Sequence, residues 1–245
     1  MKSTSSSLSV DQILSYHRDG YLVVPKLILM KEINSFLKNE KKSRSDDHVS
    51  LQRHKTDPVF GAFASHPKVV AIVSQLLEGH PNIVQTMFLN KPKQGGRGIA
   101  LHQDTHYLPN EPNTLMACWI ALTDTDADNG GLCVVPGSHL EGLREAGKID
   151  DKKEFDSWET EHDMRDPDGR EWKRKMHSFQ IQGLPEERII RLIVPRGSCV
   201  FFTGMTIHGS FANHSADRPR SAFASHYVHE STWLYRCDVQ NTVPA

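Results

Sequence analysis

The period of the apolar residues changes near position 83, and this change limits the fold more strongly than any other feature of the chain. In the first third, apolar residues recur every three or four positions, as Ile33, Phe36 and Leu37 do, which is the spacing of an amphipathic helix. Gly20 is placed to end the first helix. The predicted helices run from Ser9 or Asp11 to about Asp19, over Met30–Lys41 and over Pro67–Leu77.

From Ile83 onward the period is two, and turns rich in Gly, Asn and Asp separate short apolar runs. Many short strands with such turns favour a mainly β sandwich or jelly roll with the N-terminal helices packed outside. The predicted strands are Ile83–Asn90, Leu115–Leu122, Leu132–Val135, Arg191–Val194, Ser198–Thr203 and Ser221–Val228.

A length of 245 residues suits a single β domain, so we predict one domain over 1–245. The segment 141–190 breaks the strand pattern, because it is highly charged and carries two tryptophans. Insertions of this length between core strands are usually functional lids or disordered. We predict that 141–190 is a lid over the active site.

Composition restricts the partners and the location of the protein. The formal net charge of −1 provides no basic field for nucleic acid, and no apolar run approaches the ~20 residues that span a bilayer. The polar N-terminal residues do not resemble a signal peptide, so we expect a cytoplasmic protein. The four cysteines are scattered, which indicates reduced thiols. We expect a small-molecule substrate and neither nucleic acid nor membrane as partner; the sequence does not define the oligomeric state.

A metal site is predicted from His102-Gln103-Asp104 and from His208, which an apolar strand delivers about a hundred residues later. Side chains at i and i+2 of a strand point the same way, so His102 and Asp104 can share one ion. Two histidines and one carboxylate on one face of an octahedral metal leave three positions open, as in non-haem Fe(II) oxygenases.

Chance alone can produce such a motif, since 14 His and 17 Asp lead us to expect roughly one HxD tripeptide. His17-Arg18-Asp19 is the chance example, because i and i+2 diverge around the helix predicted there. Five other histidines stay open as competing donors, of which His214 and His229 are expected at the surface: His106, His139, His214, His226 and His229. His106 could replace His208 as a ligand only in a local loop site, and such a site would leave the apolar strand before His208 unexplained.

Strand parity supports an interior that has room for a ligand. Arg220 shares a strand face with Ala222, Ala224 and His226, and Trp119 likewise lies among alanines. A buried arginine needs an anionic partner, which a dicarboxylate supplies with bidentate geometry. Two alternatives stay open: an acidic residue of this chain could pair with Arg220, or Arg218 could bind the dicarboxylate.

The chain resembles the phytanoyl-CoA dioxygenase family, in order along nearly its whole length. The segments that carry the resemblance are Thr86–Pro92, Leu101–Tyr107, Asn129–His139, Ile207–Ser210 and the ending around Arg220 and His226-Tyr227. The resemblance implies a double-stranded β-helix in which His102, Asp104 and His208 bind Fe(II). It also implies that 2-oxoglutarate is the co-substrate and O₂ the oxidant. The co-substrate residues that it implies are Met87, Trp119, Ser210 and Arg220, and we also predict that Gln85 contacts the co-substrate, because it lies on the strand face of Met87.

The activity implied is hydroxylation of an unactivated carbon of a small organic substrate, with conversion of 2-oxoglutarate to succinate and CO₂. The run Arg170–Lys175 could meet the phosphates of a CoA thioester, but such runs are more often solvated. We expect a small metabolite or natural-product intermediate rather than an acyl-CoA. The alternatives are a cupin-like zinc hydrolase or isomerase and a non-catalytic metabolite-binding protein.

Overall fold

The computed structural model describes residues 7–42 and 51–245. Its helices are α1 Val10–Asp19, α2 Met30–Lys42, α3 Pro58–Ala64 and α4 Pro67–Leu77. Its strands are β1 Tyr21–Val24, β2 Pro81–Lys91, β3 Ile99–His102, β4 Asn110–Glu111, β5 Met116–Ala121, β6 Leu132–Val134, β7 Gly147–Lys148, β8 Glu159–Arg165, β9 Glu171–His177, β10 Phe179–Gln180, β11 Ile190–Arg191, β12 Cys199–Thr203, β13 His208–Ser210, β14 Arg220–His229, β15 Trp233–Leu234 and β16 Val243–Pro244.

Two antiparallel sheets form the centre of the molecule. The larger has the strand order β1-β12-β5-β14-β2-β16, and the smaller has the order β11-β6-β13-β3. One buried cluster joins Trp119 and Ala224 of the larger sheet to Leu132 and Val134 of the smaller sheet. The sheets therefore face each other across a shared interior, which confirms the mainly β, jelly-roll prediction.

The helices cover the outer face of the larger sheet. Phe223 points outward from β14, and its ring centroid lies 5.2 Å from that of Phe36 and 5.4 Å from that of Phe60. On the same strand, the Tyr227 hydroxyl donates to the carbonyl of Ala64 at 2.7 Å. The alternation of β14 therefore sends odd-numbered residues to the helices and even-numbered residues into the interior.

Phe223→Ala is expected to destabilise the protein by about 3–5 kcal/mol, because it removes the ring around which α2, α3 and β14 pack. Denaturant unfolding would measure the change. Ile193→Ala is the control: that side chain is 79% exposed, so we expect a change within about 0.5 kcal/mol. Equal effects of the two substitutions would contradict this account of the core.

Local sequence signals determine α1. The Ser9 side chain accepts from the backbone of Gln12, while the Gln12 side chain accepts from the backbone of Ser9, so the helix begins with a capping box. Gly20 ends it with φ of 79°, and a Cβ there would lie 2.4 Å from Nδ1 of His139. Glycine is thus required both by the left-handed backbone and by the packing.

Most predicted elements are present with shifts of one or two residues at their ends, one predicted strand is replaced by a shorter one, and several observed elements were not predicted. No strand spans Arg191–Val194: the strand is Ile190–Arg191, and Val194 forms only an isolated bridge to Thr125. Helix α3 was not predicted, since seven residues are too few to show a helical period. The hairpin of β8 and β9 was also not predicted, because its alternation is largely between charged residues.

Two further sequence expectations can be compared with the structure. Cys118, Cys133 and Cys199 are buried free thiols, as the scattered cysteines indicated. In the two described ranges no single helix has the length and hydropathy to cross a membrane, although α3 and α4 pass that test as a bent pair.

Candidate metal centre and co-substrate pocket

Three elements bring the predicted metal donors together. His102 is the last residue of β3, and His208, the first residue of β13, lies directly opposite it in the antiparallel register. The i, i+2 argument assumed that Asp104 lies on a strand. In the structure Asp104 instead begins a 3₁₀ turn that ends at His106. Gln103 is nevertheless extended, with φ of −114° and ψ of 130°, so His102 and Asp104 still point to the same side.

The donor atoms of the three side chains converge. Nε2 of His102 lies 3.4 Å from Oδ1 of Asp104, and Nε2 of His208 lies 3.6 Å from the same oxygen. Nδ1 of His102 donates to the carbonyl of Ala100, and Nδ1 of His208 donates to the carbonyl of Thr206. These bonds place the proton on Nδ1 and leave each Nε2 lone pair free for a metal.

The electrostatics of the cluster suit a divalent cation. Burial lowers the pKa of His208 to about 4, which keeps its imidazole neutral. Burial opposes ionisation of Asp104, but His208 and His226 hold the pKa of its carboxyl well below its usual range. Metal binding needs neutral imidazole and ionised carboxylate. Among the described residues, His102, Asp104 and His208 form a group of three possible metal donors whose atoms all lie within 4.8 Å of one another.

His226 lies behind the carboxylate rather than among the donors. Its Nε2 donates to Oδ2 of Asp104 at 3.0 Å, and its Nδ1 accepts from the amide of Gln85 at 3.3 Å. The sequence left His226 as a competing ligand, and parity had already turned it inward. Gln85, predicted from the sequence to bind the co-substrate, contacts His226, so both residues orient Asp104 with Oδ1 toward the histidines.

Replacing His226 with phenylalanine is expected to weaken Fe(II) binding about 10- to 100-fold, as is usual when a group that orients a metal ligand is lost. Metal titration of the apoprotein would measure this. His226→Gln, which retains a donor, should lose less. His214→Gln is the control, since His214 is exposed. Unchanged metal affinity in the phenylalanine variant would show that His226 does not position Asp104.

The predicted co-substrate residues surround a second part of the interior. Arg220 is only 2% exposed, its Nε donates to the carbonyl of Gly130 at 3.0 Å, and its buried Nη1 has no hydrogen-bond acceptor. Its guanidinium carbon lies 6.0 Å from the ring centroid of Trp119, and Met87 is on the adjacent strand facing the same interior. Arg220 is thus a buried cation that lacks an anion.

The structure supports neither alternative that the sequence left open, which were that Arg218 binds the dicarboxylate or that an acidic residue of this chain pairs with Arg220. Arg218 pairs with Asp126 at 2.5 Å on the surface and is not available to the interior. In the part of the chain that the structure describes, no carboxylate lies within ion-pair distance of Arg220. The interior therefore offers Arg220 to an external anion.

Sequence reasoning did not single out Lys91, which the structure places beside Arg220. It lies opposite Arg220 in the register of β2 and β14, is 5% exposed, and its Nζ donates to Oγ of Ser210 at 2.8 Å. A cavity of about 260 Å³ touches both cations. Parity could have found it, because Lys91 follows Gln85, Met87 and Leu89 at spacings of two.

The other sequence candidates lie elsewhere. Nε2 of His106 donates to the carbonyl of Arg144, away from the three donors. In the chance motif, Asp19 pairs with Arg18 at 2.7 Å.

Comparison with known families identifies this arrangement. The profile of the family described as phytanoyl-CoA dioxygenase (PhyH) matches residues 11–222 and so includes all three donors and Arg220. The chain belongs to the phytanoyl-CoA dioxygenase family. It is accordingly an enzyme of the iron- and 2-oxoglutarate-dependent oxygenases. The resemblance drawn from the sequence motifs is confirmed.

Relatives in this family match over most of the chain. A probable phytanoyl-CoA dioxygenase of Caenorhabditis elegans is 27% identical over 94% of this chain and 78% of its own length. The peroxisomal phytanoyl-CoA dioxygenase of Bos taurus is 27% identical over 96% of this chain and 72% of its own length. Phytanoyl-CoA dioxygenase domain-containing protein 1 of Mus musculus is 31% identical, over 76% of this chain and 58% of its own length.

Solved structures show the same fold at low sequence identity. The epimerase SnoN from nogalamycin biosynthesis, in complex with Fe³⁺, alpha ketoglutarate and nogalamycin RO, superposes with a TM-score of 0.68 at 19% identity. This superposition covers 91% of this chain and 84% of SnoN. EctD from S. alaskensis, with 2-oxoglutarate and 5-hydroxyectoine, also has a TM-score of 0.68 at 18% identity, covering 96% and 80% of the two chains. The double-stranded β-helix prediction is confirmed.

Proposed function

We propose that this enzyme hydroxylates an unactivated carbon of a small organic molecule while 2-oxoglutarate is converted to succinate and CO₂. One observation carries the proposal. A three-donor metal cluster and an unpaired, buried guanidinium share the same interior, between the two sheets. A 2-oxoacid with a second carboxylate has the chemistry to satisfy both, since one end can chelate a metal and the other can pair with Arg220.

Each residue of the site has a proposed role. His102, Asp104 and His208 would hold iron, which when bound activates O₂ and couples decarboxylation of the co-substrate to oxidation of the substrate. Arg220 and Ser210 bind the distal carboxylate, and Met87 and Trp119 form the apolar walls beside it. His226, supported by Gln85, keeps one carboxylate oxygen of Asp104 directed at the metal.

We further propose that 141–190 covers the substrate side of this interior. Its contacts with the metal-bearing strand support this role. The amide of Gln103 donates to the carbonyl of Gly142 at 2.9 Å, and the backbone of Ile181 donates to that of Leu101 at 2.7 Å. The ring of Tyr107 lies between the segment and the metal donors, 5.6 Å from Trp158 and 5.3 Å from His102. The cytoplasmic location stays a prediction.

For the substrate, we propose a small metabolite rather than an acyl-CoA. The charges of the basic run support this choice: Lys173 pairs with Glu161 at 3.1 Å and Lys175 with Glu159 at 3.2 Å across the hairpin. Arg174 faces the other side of the hairpin. Burial is the main cause that lowers the pKa of His106, and the charge of Arg174 lowers it further. Two of the four basic side chains in the run are therefore paired with acids of the hairpin, which reduces the positive charge that the run offers to the phosphates of CoA.

The test is succinate formation from 2-oxoglutarate with Fe(II), O₂ and ascorbate, comparing wild type with His102→Ala. We expect turnover in the wild type, stimulated by members of a panel of small metabolites more than by branched acyl-CoA thioesters. Stimulation by acyl-CoA alone would overturn the substrate class. No turnover with any compound, together with no optical change when 2-oxoglutarate is added to the Fe(II) protein, would overturn the reaction itself.

A further inference from the structure

The end of the co-substrate pocket contains two buried basic side chains, Lys91 and Arg220, and Asp156, the acidic residue among those that line the cavity, pairs with Arg97. Lys91 and Arg220 are directly opposite residues of an antiparallel pair, so their side chains leave the sheet on the same face. They are 5% and 2% exposed. No carboxylate of residues 7–42 or 51–245 makes an ion pair with either one. Burying a guanidinium and an amine side by side without a counter-ion is costly, whether or not the amine is charged, so this arrangement needs a functional reason.

Lys91 connects the two sheets at this point. From β2 of the larger sheet, its Nζ donates to Oγ of Ser210 at 2.8 Å and to the carbonyl oxygen of Phe211 at 2.5 Å, both at the end of β13 in the smaller sheet. An ammonium group has three N–H donors, and these contacts use two of them. The third is available to a ligand.

The charged and titratable groups around Lys91 come from three elements. Arg220 lies on β14 and Cys133 on β6, while Glu154 and Asp156 belong to the 141–190 segment. Both acids are engaged elsewhere: Glu154 accepts from the backbone of Ala212 and Asp156 pairs with Arg97 at 2.7 Å. Burial raises the pKa of the Cys133 thiol to about 12, so it remains neutral. Nothing within the described chain neutralises Lys91 at close range.

We propose that Lys91 is a second cationic contact for the distal carboxylate of 2-oxoglutarate, and that its amine takes up a proton when the co-substrate binds. The inference rests on the proposed use of 2-oxoglutarate. Burial, followed by repulsion from Arg220, lowers the pKa of Lys91 to about 6, so the amine is mostly neutral at pH 7.5 in the absence of an anion. An incoming carboxylate favours the charged form, raises the pKa and draws one proton from solvent.

This role makes Lys91 a determinant of co-substrate choice. A 2-oxoacid that lacks the distal carboxylate, such as 2-oxobutyrate, gains nothing from Lys91. Lys91→Met should therefore weaken 2-oxoglutarate binding about 10- to 100-fold, the range for loss of a charge-assisted hydrogen bond in a buried site. Binding of 2-oxobutyrate should be unchanged. A purely structural lysine would weaken both ligands alike.

Isothermal titration calorimetry tests the proposal on the anaerobic Fe(II) protein at pH 7.5, in two buffers that differ in ionisation enthalpy. The wild type should take up close to one proton per 2-oxoglutarate, and Lys91→Met should take up none. Lys93→Met is the matched control: Lys93 is two residues further on and exposed, and this variant should match the wild type in affinity and in proton uptake.

The outcomes separate this inference from the proposed function. A wild type that binds 2-oxoglutarate without proton uptake overturns the role of Lys91, even if Lys91→Met fails to fold. A Lys91→Met protein with wild-type affinity and proton uptake also overturns it. A wild type that binds no 2-oxoglutarate overturns the proposed function and this inference together.

Discussion

Asp104→Ala is expected to weaken Fe(II) binding by more than about 100-fold and to reduce 2-oxoglutarate turnover to background. Asp104 is the anionic donor of the cluster, and its Oδ1 faces both imidazoles. Loss of groups that merely orient a metal ligand costs about 10- to 100-fold in affinity, and loss of the ligand itself should cost more. Metal titration and succinate formation would measure the two effects separately.

The chain provides its own control for this experiment in His17-Arg18-Asp19. Asp19→Ala removes the carboxylate of an identical HxD spacing, but one on a helix and paired with Arg18 at the surface. We expect metal binding and turnover to stay within about twofold of wild type, since exposed pairs contribute only about 0–1 kcal/mol. If Asp104→Ala retained wild-type iron affinity, Asp104 could not be a ligand.

Arg220→Met is expected to raise the KM for 2-oxoglutarate about 100- to 4000-fold. Removing one partner of a buried, hydrogen-bonded ion pair typically costs about 3–5 kcal/mol, and each 1.4 kcal/mol corresponds to roughly a tenfold change. The unliganded variant should be no less stable than wild type. Its thermal midpoint should even rise, because methionine removes a desolvated charge whose Nη1 has no acceptor.

Arg218→Met is the matched control, two residues earlier in the chain. Its guanidinium pairs with Asp126 at the surface, so the KM for 2-oxoglutarate should stay within about twofold of wild type. Kinetics across a range of 2-oxoglutarate concentrations and thermal unfolding without ligand would measure both quantities. A wild-type KM in Arg220→Met, or an equal rise in Arg218→Met, would exclude Arg220 as the carboxylate anchor.

Arg220→Met is expected to weaken 2-oxoglutarate binding and to raise the thermal midpoint of the empty protein. Arg220 therefore favours ligand binding at the expense of stability. Without an anion, Arg220 is desolvated, which lowers its pKa to about 10. Lys91 adds a second buried basic group at the same end of the pocket, which we propose becomes charged when the anion binds. A preorganised pair of this kind lowers the stability of the empty protein and would bind a carboxylate more strongly, because the two side chains need no rearrangement when the ligand arrives.

Elements with local signals could be predicted well. Helix α1 follows from a capping box and a glycine within eleven residues, and α4 has its predicted bounds, Pro67–Leu77. The faces of β14 follow from simple alternation. Prediction failed for α3 and for the hairpin of β8 and β9, because a short or highly charged segment contains too few apolar residues to show a period.

By itself, the sequence determined the fold class, the family and the three candidate metal donors that the structure brings together, since motif spacing and strand parity are local properties of the chain. Only the tertiary structure shows which side chains contact the site residues. His226 meets Asp104 across 122 positions, and Lys91 meets Ser210 across 119. Such pairings depend on how strands from two sheets are brought together, and alternation determines only the face on which a side chain lies, not its partner.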